Sequence, residues 1–412
     1  MPKVTFFTGQ PIFNQILSLI PSAAVSGLVR KYSADRYCKK FKSFDHVVTM
    51  LYCCFHQCSS LREVITGMQA SSARLAHLGL KFTPRRSTLA DANERRTADL
   101  FQDLYHLIYK RFYSGLPDSV SRKKIVDKLY IIDSTIISLF STVMQSTGCL
   151  GLNGKKKGGV KANVLVRAAH NLPCFVRLSE GKRSDKKFLP EVSVPRGSIV
   201  VMDKGYNSYE QFLRWTLAGI TWVTRMNNAA VYSVVVTRRI SEKQAQYGVQ
   251  ADNEIQLGNP RTVSKIPLQK ARLIIFYDAA SRKEFQFITN NFTYAASTIA
   301  DIYKKRWQIE MIFKRVKQNF QLHYFLGDNE NAIQIQLWCT LIADLLIKVI
   351  KDKANKKRSW SMANLTGLVR LHLGTYIDLF KFLEAPEKAL INYIDPTDKM
   401  QLQMFPVETR GA

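Results

Sequence analysis

Two apolar runs in the middle of the chain each close on an aspartate. One is Leu129-Tyr-Ile-Ile-Asp133, and the other is Ser198-Ile-Val-Val-Met-Asp203-Lys-Gly205-Tyr206. Neither alternates polar with apolar residues. Continuous runs of this kind suit central strands buried on both faces. That limits the fold to a sheet covered by other layers, and the expected class is α/β. It also says where to look for chemistry, because open α/β sheets place their sites at strand ends.

The flanks differ in texture. Residues 1 to about 125 read as an all-helical domain. Ile12 to Leu28 and Phe44 to Cys58 carry apolar residues at helical spacing, and Ser60-Leu-Arg-Glu63 is a capping-box pattern that starts a third helix. Thr88-Leu-Ala-Asp91 resembles the same signature before a long amphipathic run through Phe112. Lys81, Arg85 and Arg86 lie just upstream, and a basic turn feeding a helix N-terminus suits phosphate. Gly158 to Ala168 and Pro173 to Ser179 read as strands. Residues 211 to 292 form a β-rich insertion, with strand-like runs at Val231 to Thr237, Arg272 to Tyr277 and Glu284 to Thr289. Asp252, Asn253, Gly258, Asn259 and Pro260 mark a turn-rich region inside it. From Thr298 the chain is helical again, with a helical C-terminal segment over 351–412.

A third acid lies in Tyr303-Lys-Lys-Arg306-Trp307-Gln-Ile-Glu310-Met-Ile-Phe-Lys314-Arg-Val-Lys317. Tyr303, Arg306, Glu310 and Lys317 sit at offsets 0, 3, 7 and 14. At about 3.6 residues per turn they share one helix face. Arg306 and Glu310 alone match ordinary i, i+4 surface pairing. Taken with Asp133 and Asp203, the quartet reads as a site where acids hold metal and cations hold phosphate. Hard oxygen ligands suit Mg²⁺, with Mn²⁺ as a substitute. Two such ions activate a nucleophile and stabilise the leaving oxygen. Asp133 is the expected bridging ligand. No Ser, Cys or His nucleophile is required, so His56, His170 and His323 need no catalytic role.

Charge points to the partner. The 412 residues carry 60 Lys and Arg against 32 Asp and Glu, a formal net charge of +28 spread along the chain. Such an excess favours a polyanion, nucleic acid before anionic membrane. The start, MPKVTFFTGQPIFNQ, lacks the apolar core of a signal peptide. Leu337 to Ile350 is short for a bilayer span and carries Asp344 and Lys348. The expectation is a soluble, cytoplasmic protein with no membrane partner. Seven cysteines without framework spacing suit a reducing compartment. Cys53, Cys54, His56 and Cys58 lack zinc-site spacing and read as core of a buried helix.

These residues carry a family resemblance. The pattern Y-x-x-R-x-x-x-E-x-x-x-x-x-x-K resembles the signature of DDE transposases of the insertion sequence 4 family, and Thr298-Ile-Ala-Asp-Ile-Tyr303 resembles the approach to it. Ile132-Asp133-Ser134-Thr135 resembles the first catalytic block and Asp203-Lys-Gly205-Tyr206 the second. Gly181-Lys-Arg-Ser-Asp185 and Trp222-Val-Thr-Arg225 resemble two short family motifs. Ser60-Leu-Arg-Glu63 and Arg86-Ser-Thr-Leu-Ala-Asp-Ala-Asn93-Glu resemble the helical N-terminal domain of many members.

The resemblance implies an RNase H-like core in two parts, 126–210 and 293–350, interrupted by the insertion at 211–292. Residues 1–125 would bind DNA ends. Asp133, Asp203 and Glu310 would be the catalytic metal ligands. Tyr303, Arg306 and Lys317 would position DNA phosphates, joined by Lys204, Arg225, Arg85 and Arg86. If excision runs through a hairpin, Trp307 or Trp222 would stack on an extruded base. The implied activity is cut-and-paste transposition. A homodimer pairs two terminal inverted repeats, cuts them, and transfers the 3′ ends to target DNA in a bacterial cytoplasm, nucleoid-associated when bound. The rival readings are a metal-dependent nuclease without strand transfer and an inactive DNA-binding repressor derived from a transposase.

Overall fold

The computed structural model describes residues 8–71, 77, 80, 82–113, 125–138, 149–150, 156–157, 159–180, 184–260, 267–320, 322, 325–327, 329–354 and 358–386. Lys81, His323, the segment 181–183 and the tail from 387 lie outside the described residues. The chain divides into two units. One comprises Met1–Ile108, Asn319–Gln321 and Phe325–Ala412, and the other Tyr109–Gln318 and Leu322–Tyr324.

The first unit is helical. It begins with α1 (Ile12–Leu17), α2 (Ser22–Lys31), α3 (Ser43–His56) and α4 (Leu61–Ala70). Next come α5 (Arg86–Arg95) and most of α6 (Ala98–Tyr113). Ser60 Oγ accepts the Glu63 amide at 3.2 Å, while the Glu63 carboxylate reaches back to the Ser59 amide at 2.6 Å. The capping box at α4 is therefore formed one residue wider than the sequence pattern implies. At α5 the expectation fails. The helix starts at Arg86, so Thr88 lies inside its first turn and caps nothing. The run to Phe112 is also broken at Arg96 and Thr97. Arg96 leaves helical geometry because its guanidinium turns inward to the carbonyls of Phe41 and Lys42 and the sulfur of Cys38. Cys53, Cys54 and Cys58 are buried.

The longest helix of the chain's described part follows a one-turn α7 (Ile125–Lys128), α8 (Tyr209–Leu217), α9 (Glu242–Tyr247), α10 (Ala296–Lys304) and α11 (Trp307–Asn319) in order. It is α12 (Glu330–Lys353), with α13 (Met362–His372) and α14 (Leu379–Glu384) after it. Among the described helices α12 is long and apolar enough to cross a membrane, yet 83% of its most apolar window is buried in the folded chain. It belongs to the helical unit and not, as expected, to the core holding Glu310.

The second unit is built on a nine-stranded sheet. Its strands are β1 (Leu129–Ser138), β2 (Gly159–Arg167), β3 (Leu172–Glu180), β4 (Ile199–Met202), β5 (Thr221–Arg225), β6 (Tyr232–Thr237), β7 (Val249–Leu257), β8 (Gln269–Asp278) and β9 (Lys283–Thr289). Their spatial order is β3-β2-β1-β4-β5-β9-β8-β7-β6. β1, β4 and β5 run parallel and all other neighbours are antiparallel. Every residue of β4 is buried, as its unbroken apolar sequence requires.

Three expectations are corrected here. Residues 211–225 are not part of an insertion. They hold most of α8 and then β5, which continues the parallel core beside β4. The strands that follow, β6 to β9, do not stand apart but widen the same sheet. Asp252 and Asn253 are not turn residues. They lie in β7, where Arg272 of β8 grips Asp252 through two hydrogen bonds of 2.7 and 2.6 Å, both residues being buried. Forked pairing is what allows a carboxylate inside the sheet at all. Asp252→Ala should therefore destabilise the unit by about 3–5 kcal/mol, because it strands a buried guanidinium. The double change Asp252→Leu with Arg272→Met should restore most of that. Urea denaturation checks both, and a double variant as weak as the single one would contradict the account.

Candidate active site

Strand parity builds the site. Ile131 pairs with Val201 across β1 and β4, and Val201 pairs with Val223 across β4 and β5. Side chains two residues apart on a strand share a face. Asp133, Asp203 and Arg225 each lie two residues beyond one of those partners, so all three emerge side by side on one face. Tyr130, Ile132, Val200, Met202 and Trp222 point to the other face, where they join Phe212 and Trp215 of α8 in the core. The acid at 133 does not end its strand, because β2 keeps pairing with β1 as far as Ser138. What ends there is the parallel pairing with β4, at Ile132 and Met202. Asp203 then leads into a single 3-10 turn, Lys204–Tyr206.

The third acid arrives on α11. The expected single helix is interrupted: α10 stops at Lys304, and Lys305 and Arg306 form a tight turn before Trp307. The amides of Arg306, Gln308 and Ile309 bond three residues back in place of four. Three of the quartet, Arg306, Glu310 and Lys317, nevertheless line one cavity of about 660 Å³ together with Asp133, Asp203 and Arg225.

Each acid in the cavity is paired with a guanidinium. Arg306 donates to Asp133 Oδ2 at 2.6 Å and to Glu310 Oε1 at 2.9 Å, so one guanidinium bridges two of the acids. Arg225 donates to Asp203 Oδ1 at 2.7 Å, and the Tyr303 hydroxyl donates to the same oxygen at 3.2 Å. Lys317 Nζ donates to Thr135 Oγ1 at 2.8 Å and to the Ile136 carbonyl at 3.1 Å. Burial pushes the Asp133 carboxyl up to about 6; Arg306 opposes this, and Asp203 and Glu310 add to it. Burial also acts on Asp203, but the hydrogen bond and charge of Arg225 prevail and hold it below the usual carboxylate range. Burial lowers Lys317. It pushes the Tyr303 phenol up to about 12.

The acids therefore share a cavity without forming a ready-made cage. Among the described residues, no three His, Cys, Asp or Glu side chains stand close enough together to hold an ion as they are. Two guanidinium groups stand in for the cationic charge the carboxylates require. The buried Nε atoms of Arg225 and Arg306 make no hydrogen bond. Both groups are thus drawn in by charge and not by full hydrogen-bond satisfaction. An all-oxygen donor set that already draws in cations fits a hard divalent metal.

Placement of the other candidates is mixed. Trp222 is fully buried, stacks on Phe212 at 4.2 Å and donates its indole N–H to Thr216 Oγ1. It is core, and the expected stacking role is excluded for it. Trp307 is 63% exposed. The ring of Tyr303 packs on Phe287 at 4.7 Å, so only its hydroxyl reaches the site. Lys204 is exposed on the turn after Asp203, while Arg85 and Arg86 are exposed at the start of α5 in the helical unit. Asn207 escaped sequence reasoning. Its side chain donates to the Arg225 carbonyl at 2.9 Å and accepts from Thr224 Oγ1 at 2.9 Å, tying the turn after Asp203 to the end of β5. A lone polar residue two positions past a Gly turn carries no signal that would have found it.

Comparison with known proteins places the chain in a family. Residues 125–346, more than half of the chain, match the family model described as Transposase DDE domain. Residues 8–81 match a domain of unknown function, DUF4372. The putative transposase y4zB of Sinorhizobium fredii is 29% identical over 268 residues, 65% of this chain and 72% of that protein. The probable transposase for insertion sequence element IS5377 of Geobacillus stearothermophilus is 28% identical over 60% of this chain and 63% of that protein. A cryo-EM structure of a piggyBac transposase synaptic complex with hairpin DNA aligns with 98% of this chain and 87% of its own at TM-score 0.46 and 9% identity. The chain belongs to the DDE transposase family, which implies dependence on a divalent metal.

The raised Asp133 gives a pH test in metal-free buffer. Its carboxyl shifts from 3.8 to about 6 on folding, so between those values the folded chain holds a proton that the unfolded chain has lost. Wild-type stability therefore falls as pH rises through that window, by up to ~3 kcal/mol from this group. Asp133→Asn cannot ionise and escapes the loss. Its stability relative to wild type should rise between about pH 4 and pH 7. Urea denaturation across that range measures it, and a constant difference would mean that burial does not act on Asp133 in this way.

Proposed function

We propose that this chain transposes an insertion sequence of the insertion sequence 4 group by cutting and pasting DNA. The observation that carries the reading is the gathering of Asp133, Asp203 and Glu310 in one cavity with Arg225, Arg306 and Lys317 around them. The strand order β3-β2-β1-β4-β5, with the third acid on a later helix, supports an RNase H-like core. In this reading β6 to β9 extend that core.

The three carboxylates hold the metal, Mg²⁺ first and Mn²⁺ as a substitute, and the donor set suits two ions. Metal held there by Asp133, Asp203 and Glu310 would supply activation of the attacking hydroxyl and charge stabilisation of the leaving oxygen. The chain's own residues do the rest. Arg306 and Arg225 release their carboxylates and turn their forked donors to DNA phosphates, a geometry that guanidinium groups match well. Lys317 adds a point charge beside β1. Tyr303 acts through Asp203, fixing the carboxylate that it touches. Trp307, next to Arg306 and largely exposed, is the remaining stacking candidate for an extruded base. The substrates are the terminal inverted repeats and then target DNA. The active form is a homodimer pairing two ends, in the cytoplasm at the nucleoid.

Asp203→Asn and Glu310→Gln should abolish Mg²⁺-dependent cutting of end DNA and leave binding of the repeat within about twofold, since they touch metal and not sequence. Cutting that survives in either variant would refute the assignment. Arg306→Ala should slow strand cleavage by about 10²–10³, the usual cost of removing one preorganised charge donor, with a much smaller loss of binding. A gel-based cleavage assay beside an anisotropy titration separates the two effects. Pre-cut ends offered a supercoiled target distinguish transposase from nuclease, because only the former joins them.

A further inference from the structure

Asp133 and Asp203 each stand one residue past the last parallel rung between β1 and β4, Ile132 with Met202. Beyond that rung no backbone ladder holds the two acids at a set distance. Two carboxylates that share metal need a fixed separation, so something else must set it. On the β5 side Asn207 ties the turn after Asp203 to Thr224 and Arg225. On the β1 side the tie is Tyr206.

Tyr206 closes the turn Lys204–Tyr206, and its amide donates to the Asp203 carbonyl at 3.0 Å. Its side chain is 1% exposed and joins the core on the face opposite the acids. The hydroxyl donates to Asn163 Oδ1 at 3.0 Å and lies within hydrogen-bonding reach of Ser134 and Asp185. Ser134 and Asn163 are partners across β1 and β2, and Ser134 follows Ile132 on that face. The Ser134 amide in turn donates to Asp133 Oδ1 at 2.8 Å. A continuous set of contacts therefore runs from Asp203 through Tyr206 to Asp133. Asp185 supports it from below. A β-carbon at Gly205, in the same turn, would stand 3.8 Å from its Oδ2. Its Oδ1 is buried without a hydrogen bond and faces Lys161 Nζ at 3.2 Å, so a fourth acid near the site is balanced by charge.

Asn163, Lys161 and Tyr206 are buried, and Tyr206 sits among Ile132, Leu165, Phe188, Leu189 and Met202. Burying polar groups there costs desolvation that apolar side chains of the same size would avoid. A phenylalanine would fill the core as well as Tyr206 does. Buried polar networks hold one geometry, and the geometry held here is the spacing of two acids. We propose that Tyr206, backed by Asn163 and Asp185, is a positioning residue that sets the separation of Asp133 and Asp203 and thereby the affinity of the site for divalent metal. Tyr206 touches neither metal nor DNA and acts through Ser134 and the turn it closes. This brace rests on the reading of Asp133 and Asp203 as metal ligands and adds what fixes their spacing.

The test uses the full-length protein without DNA, with Mn²⁺ as the probe. Free Mn²⁺ is read from its electron paramagnetic resonance signal, which requires no catalysis. Tyr206→Phe keeps the ring and loses the hydroxyl. It should raise the Mn²⁺ dissociation constant about tenfold, the usual scale for losing a residue that orients a metal ligand. Asn163→Leu should do the same, and the double variant should lose no more than either single one, because both remove one hydrogen bond. In a cleavage assay on end DNA, Tyr206→Phe should need more Mg²⁺ yet reach a rate within about twofold of wild type at saturation. A merely structural role would instead lower the urea midpoint in metal-free buffer and leave the Mn²⁺ affinity of the folded protein where it was. Wild-type Mn²⁺ affinity in Tyr206→Phe overturns the brace and leaves the carboxylate reading standing. Unchanged affinity in Asp203→Asn overturns both.

Discussion

Four rungs of parallel pairing, from Leu129 with Ile199 to Ile132 with Met202, govern the chemistry of this molecule. They fix which face each following side chain takes. Because the side-chain period of a strand is two, a slip of one residue between β1 and β4 would send Asp133 into the α8 layer while leaving Asp203 outside. The same rule ties in β5, whose pairing with β4 delivers Arg225 to Asp203. The fully buried Trp222, stacked on Phe212, helps to set that register from the opposite face. Its large ring thus serves the site by filling space behind it.

Collecting three carboxylates in a partly buried cavity costs free energy through desolvation and mutual repulsion, and the rise of Asp133 records that strain. The protein offsets it with guanidinium groups. Arg306 spans Asp133 and Glu310, and Arg225 covers Asp203. Both arginines keep donors in reserve, since each buried Nε is unbonded. A site organised in this way suits an exchange in which metal takes the carboxylates and phosphate takes the arginines. Cations and anions then change partners inside one cavity without leaving any charge alone.

Much of this architecture is legible in the amino-acid order. The two apolar runs announce buried central strands, and β4 is buried throughout. The offsets of Arg306, Glu310 and Lys317 announce a shared face, and these three line one cavity although a tight turn precedes α11. The helical texture of the first hundred residues is equally plain. Elsewhere local patterns mislead. Asp252 and Asn253 look like turn residues, but Arg272, twenty positions away, makes a buried strand position tolerable for Asp252. Thr88 looks like a cap, but the helix has already begun at Arg86. At Asp252 a partner distant in sequence outweighs the local preference, and at Thr88 an earlier helix start does.

By itself the sequence determined composition-level and periodic properties: the basic excess, the alternation of helical and strand textures, the acids at the ends of apolar runs, and the helix-face quartet. These depend on spacing along one chain, so one chain suffices to read them. Tertiary structure alone decided the pairings. It set Arg306 between Asp133 and Glu310 across 173 and 4 positions, seated Trp222 in the core, and assigned α12 to the helical unit. Those outcomes depend on which surfaces meet when water is excluded, and that is settled by packing and register over the whole unit.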